Sequence, residues 1–312
     1  MTNRKFIMSM SLIILGFFSG LCWGAEIHDA AKAGDLNQVK KLVEHGIDVN
    51  AKDDFNMTAL QFASSRGNLE MVKFLVEHGA DVNAKNNYDF AVLHYAISGN
   101  LEVVRFLVEH GADINVKDFS GGTLMHSAAR SGNLEMVKFL VEKGLDVNAK
   151  DKYSNSVLHC AVQRGKMELI KWLVEKGAEV NAKDKDGCTV IHFAALNGNL
   201  ELVKFFIEKG LNENAKTDSE VTVMHFAALS GNLELTKWLI EKGGNVNAKD
   251  NDGWTIMHSA AKSGNLELVK FLFEQGADLN VKDNNGFTIM RIAIYTKNLK
   301  LIQWLKEHDA KE

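Results

Sequence analysis

The stretch that decides the fold is "DFSGGTLMHSAARSGNLEMVKFLVEKGLDVNAK", residues 118–150. Thr123 is a candidate helix N-cap, "LMHSAARS" provides two turns of helix, and Gly132 ends them where a left-handed conformation is needed. "NLEMVKFLVEK" forms a second helix with Asn133 as its cap, and Gly144 ends that helix. The stretch therefore predicts a helix, a tight turn, a second helix and a projecting hairpin-like loop.

The second helix of this stretch is amphipathic. Leu134, Val137, Leu140 and Val141 lie on one apolar face of it. Glu135 and Lys138 are three residues apart, which predicts an exposed ion pair. Such a pair stabilises a helix by roughly a few tenths of a kcal/mol.

The pattern recurs along the chain. The glycine of the turn recurs as Gly34, Gly67, Gly99, Gly132, Gly165, Gly198, Gly231 and Gly264. A loop asparagine recurs as Asn50, Asn83, Asn115, Asn148, Asn181, Asn214, Asn247 and Asn280. The spacing is 33 residues in both series, apart from a single gap of 32 in each. A period held over this length predicts stacked two-helix units rather than separate globular domains.

The first-helix motifs carry a family resemblance. They read "TALQFA", "AVLHYA", "TLMHSA", "SVLHCA", "TVIHFA", "TVMHFA", "TIMHSA" and "TIMRIA", and they resemble the T-P-L-H-x-A signature of the ankyrin repeat. The resemblance covers residues 25–312 and implies an all-α ankyrin-repeat solenoid of nine stacked helix-turn-helix units with projecting β-hairpin-like loops. One departure is consistent, because the proline of the family is replaced in every copy by Ala59, Val92, Leu124, Val157, Val190, Val223, Ile256 or Ile289. Proline suits the first helical position without being required there, so we expect slightly less rigid helix starts and an unchanged fold.

The period also sets the predicted boundaries. They are a signal peptide over 1–24, an N-terminal capping repeat over 25–52, repeats over 53–85, 86–117, 118–150, 151–183, 184–216, 217–249 and 250–282, and a C-terminal capping repeat over 283–312. Polar residues replace apolar ones at Lys41 in the first unit and at Lys306 in the last. Polar outer faces are typical of terminal repeats, so we expect a complete array of nine.

The N-terminal segment has the layout of a secretory signal. "MTNRK" is basic, "FIMSMSLIILGFF" is apolar and uncharged, and "SGLCWGAE" supplies small residues for cleavage between Gly24 and Ala25. An uncleaved membrane anchor is the alternative, although the apolar stretch is short for a hydrocarbon core of roughly 30 Å. Lipid attachment at Cys22 is disfavoured by the bulky Leu21 before it. We expect a secreted or periplasmic protein that has no membrane contact after cleavage, and a membrane-anchored one if the segment is retained.

Composition excludes several classes of protein. The net charge is −4 with no basic block, so nucleic acid is not an expected partner. The chain has no glycine-rich phosphate loop, no clustered Cys/His set and no Ser/His/Asp grouping. We therefore expect no enzyme, with no catalytic, metal-binding or cofactor-binding residues. After cleavage only Cys160 and Cys188 remain; two separate thiols are expected, and a disulfide between them is the alternative.

One column of the alignment is histidine. It contains His28, His94, His126, His159, His192, His225 and His258, whereas Gln61 and Arg291 take the same position in two other repeats. Packed helices lie roughly 8–10 Å apart, which is too far for two such histidines to share a metal. The resemblance implies a structural role, in which the imidazole binds backbone groups and ties neighbouring loops together.

Variable positions near the loops form the candidate binding site. By resemblance to ankyrin repeats, a partner would contact the loop tips, the residue before each helix cap and the end of each first helix. The candidates are Phe55, Met57, Tyr88, Phe90, Phe119, Tyr153, Leu196, Leu229, Trp254 and Phe287. Exposed aromatic residues are typical of interface anchors. The alternative is that these side chains pack locally against neighbouring loops.

Glu213 and Glu220 mark one irregular joint. Glu213 stands where other repeats have an aliphatic residue, and Glu220 stands at a turn otherwise occupied by Gly, Asn, Asp or Ser. A carboxylate in a half-buried apolar position is unfavourable unless it is paired. We expect the loop over 211–221 to be the most mobile internal segment or to be held by a ligand, with tolerated sequence drift as the alternative.

Together these observations predict a non-enzymatic, exported scaffold that binds a protein partner through the concave face of the array, as a monomer. Exported arrays of this kind are similar to bacterial secreted or periplasmic proteins that bind host factors or neutralise a toxin. The alternative is a periplasmic or membrane-tethered structural spacer.

Overall fold

The computed structural model describes residues 26–311, which form eighteen helices and no strand. The first helices of the pairs are α1 (26–33), α3 (Ala59–Ser65), α5 (Val92–Ala96), α7 (Leu124–Ser131), α9 (Val157–Arg164), α11 (Val190–Leu196), α13 (Val223–Leu229), α15 (Ile256–Ser263) and α17 (Ile289–Tyr295). The second helices are α2 (Leu36–Glu44), α4 (Leu69–Glu77), α6 (Leu101–Glu109), α8 (Leu134–Glu142), α10 (Met167–Glu175), α12 (Leu200–Glu208), α14 (Leu233–Glu241), α16 (Leu266–Glu274) and α18 (Leu299–Glu307). The predicted all-α solenoid of helix pairs is confirmed. The predicted signal peptide over 1–24 lies outside the described residues.

The helices group into two compact units that divide between Asp146 and Val147. Unit 1 contains α1–α8 and unit 2 contains α9–α18. Each unit is described by itself below.

The first helices begin at the positions where the family has proline. Ser156, for example, has an extended backbone before α9, and Val157 then opens the helix with no exposed surface. The residues that replace proline are all buried: Ala59, Val92, Leu124, Val157, Val190, Val223, Ile256 and Ile289. An aliphatic side chain at the first helical position thus adds to the core instead of fixing the backbone.

The second helices begin at an asparagine and bury a broad face. Asn133 Oδ1 accepts a hydrogen bond from the backbone N–H of Met136 at 3.1 Å, and the Lys138–Glu135 ion pair forms at 2.8 Å, as predicted. On the predicted apolar face of α8, Val137 and Leu140 are buried and Leu134 and Val141 are half-buried, and Met136 and Phe139 extend the buried surface beyond that face. The reason is contact with a neighbouring repeat, since the Arg105 guanidinium from α6 covers the Phe139 ring at 4.6 Å from its centroid.

The loops between repeats are hairpin-like. Isolated antiparallel bridges close six of them, at Lys85–Ala91, Lys117–Thr123, Lys150–Ser156, Lys216–Thr222, Lys249–Thr255 and Lys282–Thr288. One residue of each turn has a positive φ, and this column contains Asn56, Asp89, Gly121, Ser154, Gly187, Glu220, Gly253 and Gly286. The left-handed conformation explains why small or Asx residues dominate the column and why Glu220 is unusual in it.

Asparagine side chains bind successive repeats together. Asn232 Oδ1 accepts from the N–H of Leu235 at 2.9 Å, while its Nδ2 donates to the carbonyl of Gly198 in the preceding repeat at 2.8 Å. Asn265 and Asn298 repeat the second bond to Gly231 and Gly264. The loop asparagines do the same on the next repeat, as Asn50 donates to Gly79 and accepts from Asp81. The asparagines that mark the period therefore also form hydrogen bonds between successive repeats.

Candidate functional site

Each loop tip is held by a side chain at the start of its loop. Asp53 Oδ1 accepts from the backbone N–H groups of Phe55 and Met57, both at 2.9 Å. The same two-bond turn is made by Asn86, Asp118, Asp151, Asp184, Asp250 and Asp283. Because a side-chain oxygen satisfies two backbone donors, the tip keeps one conformation without a packed core beneath it.

The aromatic residues at the tips are exposed. In unit 1 the exposed fractions are 58% for Phe55, 56% for Tyr88 and 57% for Phe119. Adjacent tips are joined, since the N–H of Asn87 donates to the carbonyl of Phe55 at 3.0 Å. In unit 2, Tyr153 is 57% exposed. These four rings lie on fixed backbones with more than half of their surface in water.

The residues before the caps in unit 1 are packed differently. Phe90 is half-buried and makes edge-to-face contacts with the rings of His94 at 5.4 Å and Phe119 at 6.0 Å. Met57 is also half-buried, and its Sδ accepts from the Tyr95 hydroxyl at 3.8 Å. The alternative of local packing thus describes Phe90 and Met57, whereas the tip rings stay more than half exposed even where Phe119 contacts Phe90.

In unit 2 the candidates also differ in exposure, although not by column. Leu196 and Phe287 are exposed, whereas Leu229 and Trp254 are half-buried. The Trp254 ring stacks on His258 at 4.9 Å between centroids, and its Nε1 donates to Ser259 Oγ at 3.0 Å. Trp254 and Leu229 line one cavity, together with other residues of unit 2.

Sequence reasoning missed several residues of these surfaces. The position after the column histidine is aromatic and half-buried at Phe62, Tyr95, Phe193 and Phe226. Tyr95 donates to Met57 and accepts from Asn86 Nδ2 at 2.7 Å, and burial, aided by Asp53, raises its pKa. Tyr295 is 88% exposed at the end of α17, in the same column as Leu196 and Leu229. The signal for the aromatic residues after the histidine was the variable x of the repeated motif, and the signal for Tyr295 was its place at the end of a first helix.

The column histidines bind backbone on both sides of the ring. His225 Nδ1 accepts from the Thr222 N–H at 3.1 Å, so Nε2 carries the proton and donates to the carbonyl of Trp254 at 3.1 Å. The bond to a following loop is also made by His28, His159, His192 and His258. At His94, Nδ1 accepts from the N–H of Ala91, and the buried Nε2 has no partner within the described residues.

Burial keeps most of these imidazoles neutral. It lowers the pKa of His94, His159, His192, His225 and His258, because a charged ring loses hydration inside the protein. Both nitrogens of His225 are occupied by backbone bonds, which leaves no lone pair for a metal. Among residues 26–311 no three His, Cys, Asp or Glu side chains are grouped so that they could hold a metal ion.

The two described cysteines are separate thiols. No disulfide joins Cys160 to Cys188. Burial, together with Asp184, Asp186 and Asp218, raises the pKa of Cys188 to about 12. A thiol with this pKa holds its proton at neutral pH and is a poor nucleophile.

The helices are short relative to the thickness of a bilayer. Over residues 26–311, none combines the length and the apolar character that a membrane span needs.

Comparison with known proteins agrees with the repeat geometry. No curated protein matches the chain at a significant level. The family model for ankyrin repeats (3 copies) matches four overlapping segments, residues 27–118, 117–184, 158–250 and 224–312. These matches cover almost all of the helix pairs described above, and the chain therefore belongs to the ankyrin-repeat family.

Proposed function

We propose that this protein is an exported, non-enzymatic scaffold that binds a protein partner through its loop tips and the ends of its first helices. Ankyrin repeats are generally protein–protein interaction modules. The observation that carries the proposal is the exposure of Phe55, Tyr88, Phe119 and Tyr153 on loops whose backbones are fixed by hydrogen bonds.

The exposed rings at the loop tips favour binding of a partner. Large rings in water are unfavourable, and a soluble chain usually covers them unless a partner does. Phe55, Tyr88 and Phe119 lie on three consecutive loops of unit 1, so a partner could cover them together. Because the loops are already ordered, binding would lose little conformational entropy, and each anchor could contribute on the order of 1–2 kcal/mol.

The sequence of residues 1–24 supports export. Mass spectrometry of the mature protein in its native host tests this directly. A mature N-terminus at Ala25 in a secreted or periplasmic fraction is expected. An intact N-terminus in the membrane fraction would favour the tethered spacer instead.

Affinity capture from the exported fraction tests the binding surface. We expect partner recovery to fall at least about tenfold for Phe55→Ala/Tyr88→Ala/Phe119→Ala, because three anchors are removed. Phe273→Ala is the matched control, since Phe273 is an exposed ring on α16 away from the loops. Equal recovery by the wild type and the triple variant, with both folded by circular dichroism, would refute the proposed surface.

A further inference from the structure

A cavity of about 470 Å³ lies beside Trp254 in unit 2. Its apolar walls are Val221, Phe226, Leu229 and Trp254, and its charged or polar lining includes Asp250, Asp252, Ser259, Lys262, Asp283 and Asn285. The loops over 217–222, 250–255 and 283–288 and the ends of α13 and α15 all contribute to it. It is therefore a cleft formed between repeats of one unit, whose apolar walls are half-buried and whose rim carries the exposed Asp252 and Asn285.

The aromatic wall is fixed in place. Trp254 is held through its Nε1 bond to Ser259 and through stacking on His258. The His258 ring is itself held by the carbonyl of Phe287, to which its Nε2 donates at 3.0 Å. An indole fixed by a hydrogen bond and by stacking offers a preformed surface for a planar group.

The rim is negatively charged. Three carboxylates and one ammonium group line the cavity, and the fifth titratable group, His225, is neutral because burial lowers its pKa. Asp250 and Asp283 each use Oδ1 for the turn of their own loop. Asp252 is the exposed tip residue between them, and its carboxylate has no structural task of that kind.

The chain places a cation of its own on this aromatic ring. Lys262 Nζ lies 5.9 Å from the centroid of Trp254. This distance is at the outer limit of a cation–π contact, so the ring face is attractive to a positive charge and is only loosely occupied.

We propose that this cavity binds an arginine side chain of the protein partner. The inference rests on the proposed function and names the chemistry of one contact. The aliphatic stem lies along Phe226 and Leu229, and the guanidinium stacks on Trp254 and donates to Asp252. A planar, delocalised cation satisfies both the ring and the carboxylate, which a lysine ammonium does less well. An acidic side chain is repelled by the rim.

Short peptides on the full chain test the assignment. The probe is acetyl-Gly-Gly-Arg-Gly-Gly-amide, and lysine, norleucine or glutamate replaces arginine in three comparison peptides. Binding is followed by the NMR signal of the Trp254 indole N–H, which Trp254→Phe identifies. We expect the arginine peptide to bind several-fold more tightly than the lysine peptide, and the other two to show no saturation.

Three variants separate the contributions. Asp252→Asn should weaken arginine binding by roughly fivefold, and Lys262→Gln should strengthen it by roughly twofold because a competing cation is removed. Asp186→Asn is the matched control for Asp252→Asn. Asp186 occupies the same tip position two repeats earlier, with the same backbone bonds, and does not line the cavity.

The inference is overturned if norleucine or lysine binds as tightly as arginine, or if Asp252→Asn and Asp186→Asn have equal effects. Neither result would change the outcome expected when partner capture is tested with the Phe55, Tyr88 and Phe119 variant. Failure of the arginine assignment is therefore distinguishable from failure of the proposed function.

Discussion

A single side chain shows what the histidine column requires. At Gln61, the carboxamide replaces imidazole: Oε1 accepts from the Thr58 N–H at 2.8 Å and Nε2 donates to the carbonyl of Phe90 at 3.1 Å. His225 makes the equivalent pair of bonds to Thr222 and Trp254. The position therefore selects one acceptor and one donor at a fixed separation, and not the chemistry of imidazole itself.

This equivalence predicts the outcome of two substitutions. His225→Gln should keep both bonds and change the free energy of unfolding by less than about 1 kcal/mol, whereas His225→Ala should cost about 2–4 kcal/mol through a cavity and two unsatisfied backbone groups. Urea denaturation of both variants measures the difference. If glutamine were as disruptive as alanine, the hydrogen-bond account of this column would be wrong.

Glu220 presents a second test at the residue scale. Its φ of 63° places a non-glycine residue in the left-handed region, at a position where three other repeats of unit 2 have glycine. Glu220→Gly should stabilise the protein by about 0.5–1 kcal/mol, after subtracting the small contribution of its exposed ion pair with Lys216. Thermal unfolding is the measurement, and Lys216→Ala isolates the ion pair.

The opposite exchange at an equivalent position is the control. Gly253 has a φ of 76°, and a Cβ there would lie 2.7 Å from Asn284 Oδ1. Gly253→Glu should therefore be destabilising. A Glu220→Gly variant that melts below the wild type would show that the left-handed backbone carries no penalty here.

At the scale of the element, the loops depend on the residue that begins them. In the loop after α12 this residue is Thr217, whose Oγ1 accepts only from the N–H of Val221, at 3.2 Å. In the equivalent loop after α14, Asp250 accepts from two N–H groups at 2.9 Å each. Thr217 is thus a third irregular residue of the loop in which Glu213 and Glu220 were noted, and sequence reasoning overlooked it.

Hydrogen exchange tests the consequence. We expect amides over 211–221 to exchange faster than those over 244–254, because one fewer side-chain bond holds the loop closed. Thr217→Asp should restore the second bond and slow exchange toward that of its neighbour. Slower exchange over 211–221 in the wild type would contradict this explanation.

The second helices are linked by contacts between cations and rings of adjacent repeats. Lys40, Lys73, Lys204 and Lys237 lie over Phe74, Phe106, Trp238 and Phe271, at 5.1–5.8 Å from the ring centroids. Each contact is worth about 0.5–1 kcal/mol at an exposed site. The aromatic column of the second helices thus has a structural task.

At the scale of the whole molecule, buried histidines make stability depend on pH. Five imidazoles, His94, His159, His192, His225 and His258, have a lowered pKa in the folded protein. Below about pH 6.5 the unfolded chain binds more protons than the folded one, so stability falls as the pH drops through that value and on toward the lowered pKa values. Above it, these groups contribute no pH dependence.

Thermal unfolding between pH 8 and pH 5 should show this fall. Replacing His192 and His225 by glutamine should reduce the slope, because glutamine does not titrate in this range. An unchanged slope in the double variant would assign the acid sensitivity to other groups.

The sequence by itself determined the period, the helix pairs, the helix caps and the hairpin-like loops. These features follow from short-range preferences, such as asparagine at an N-cap and glycine at a positive φ, which repetition over many copies made unambiguous. The tertiary structure alone decided that Phe55 is exposed while Phe90 packs against its neighbours, and that Phe226, Leu229 and Trp254 enclose a cavity. The physical reason is that exposure depends on contacts between residues about one repeat apart, which local pattern does not specify.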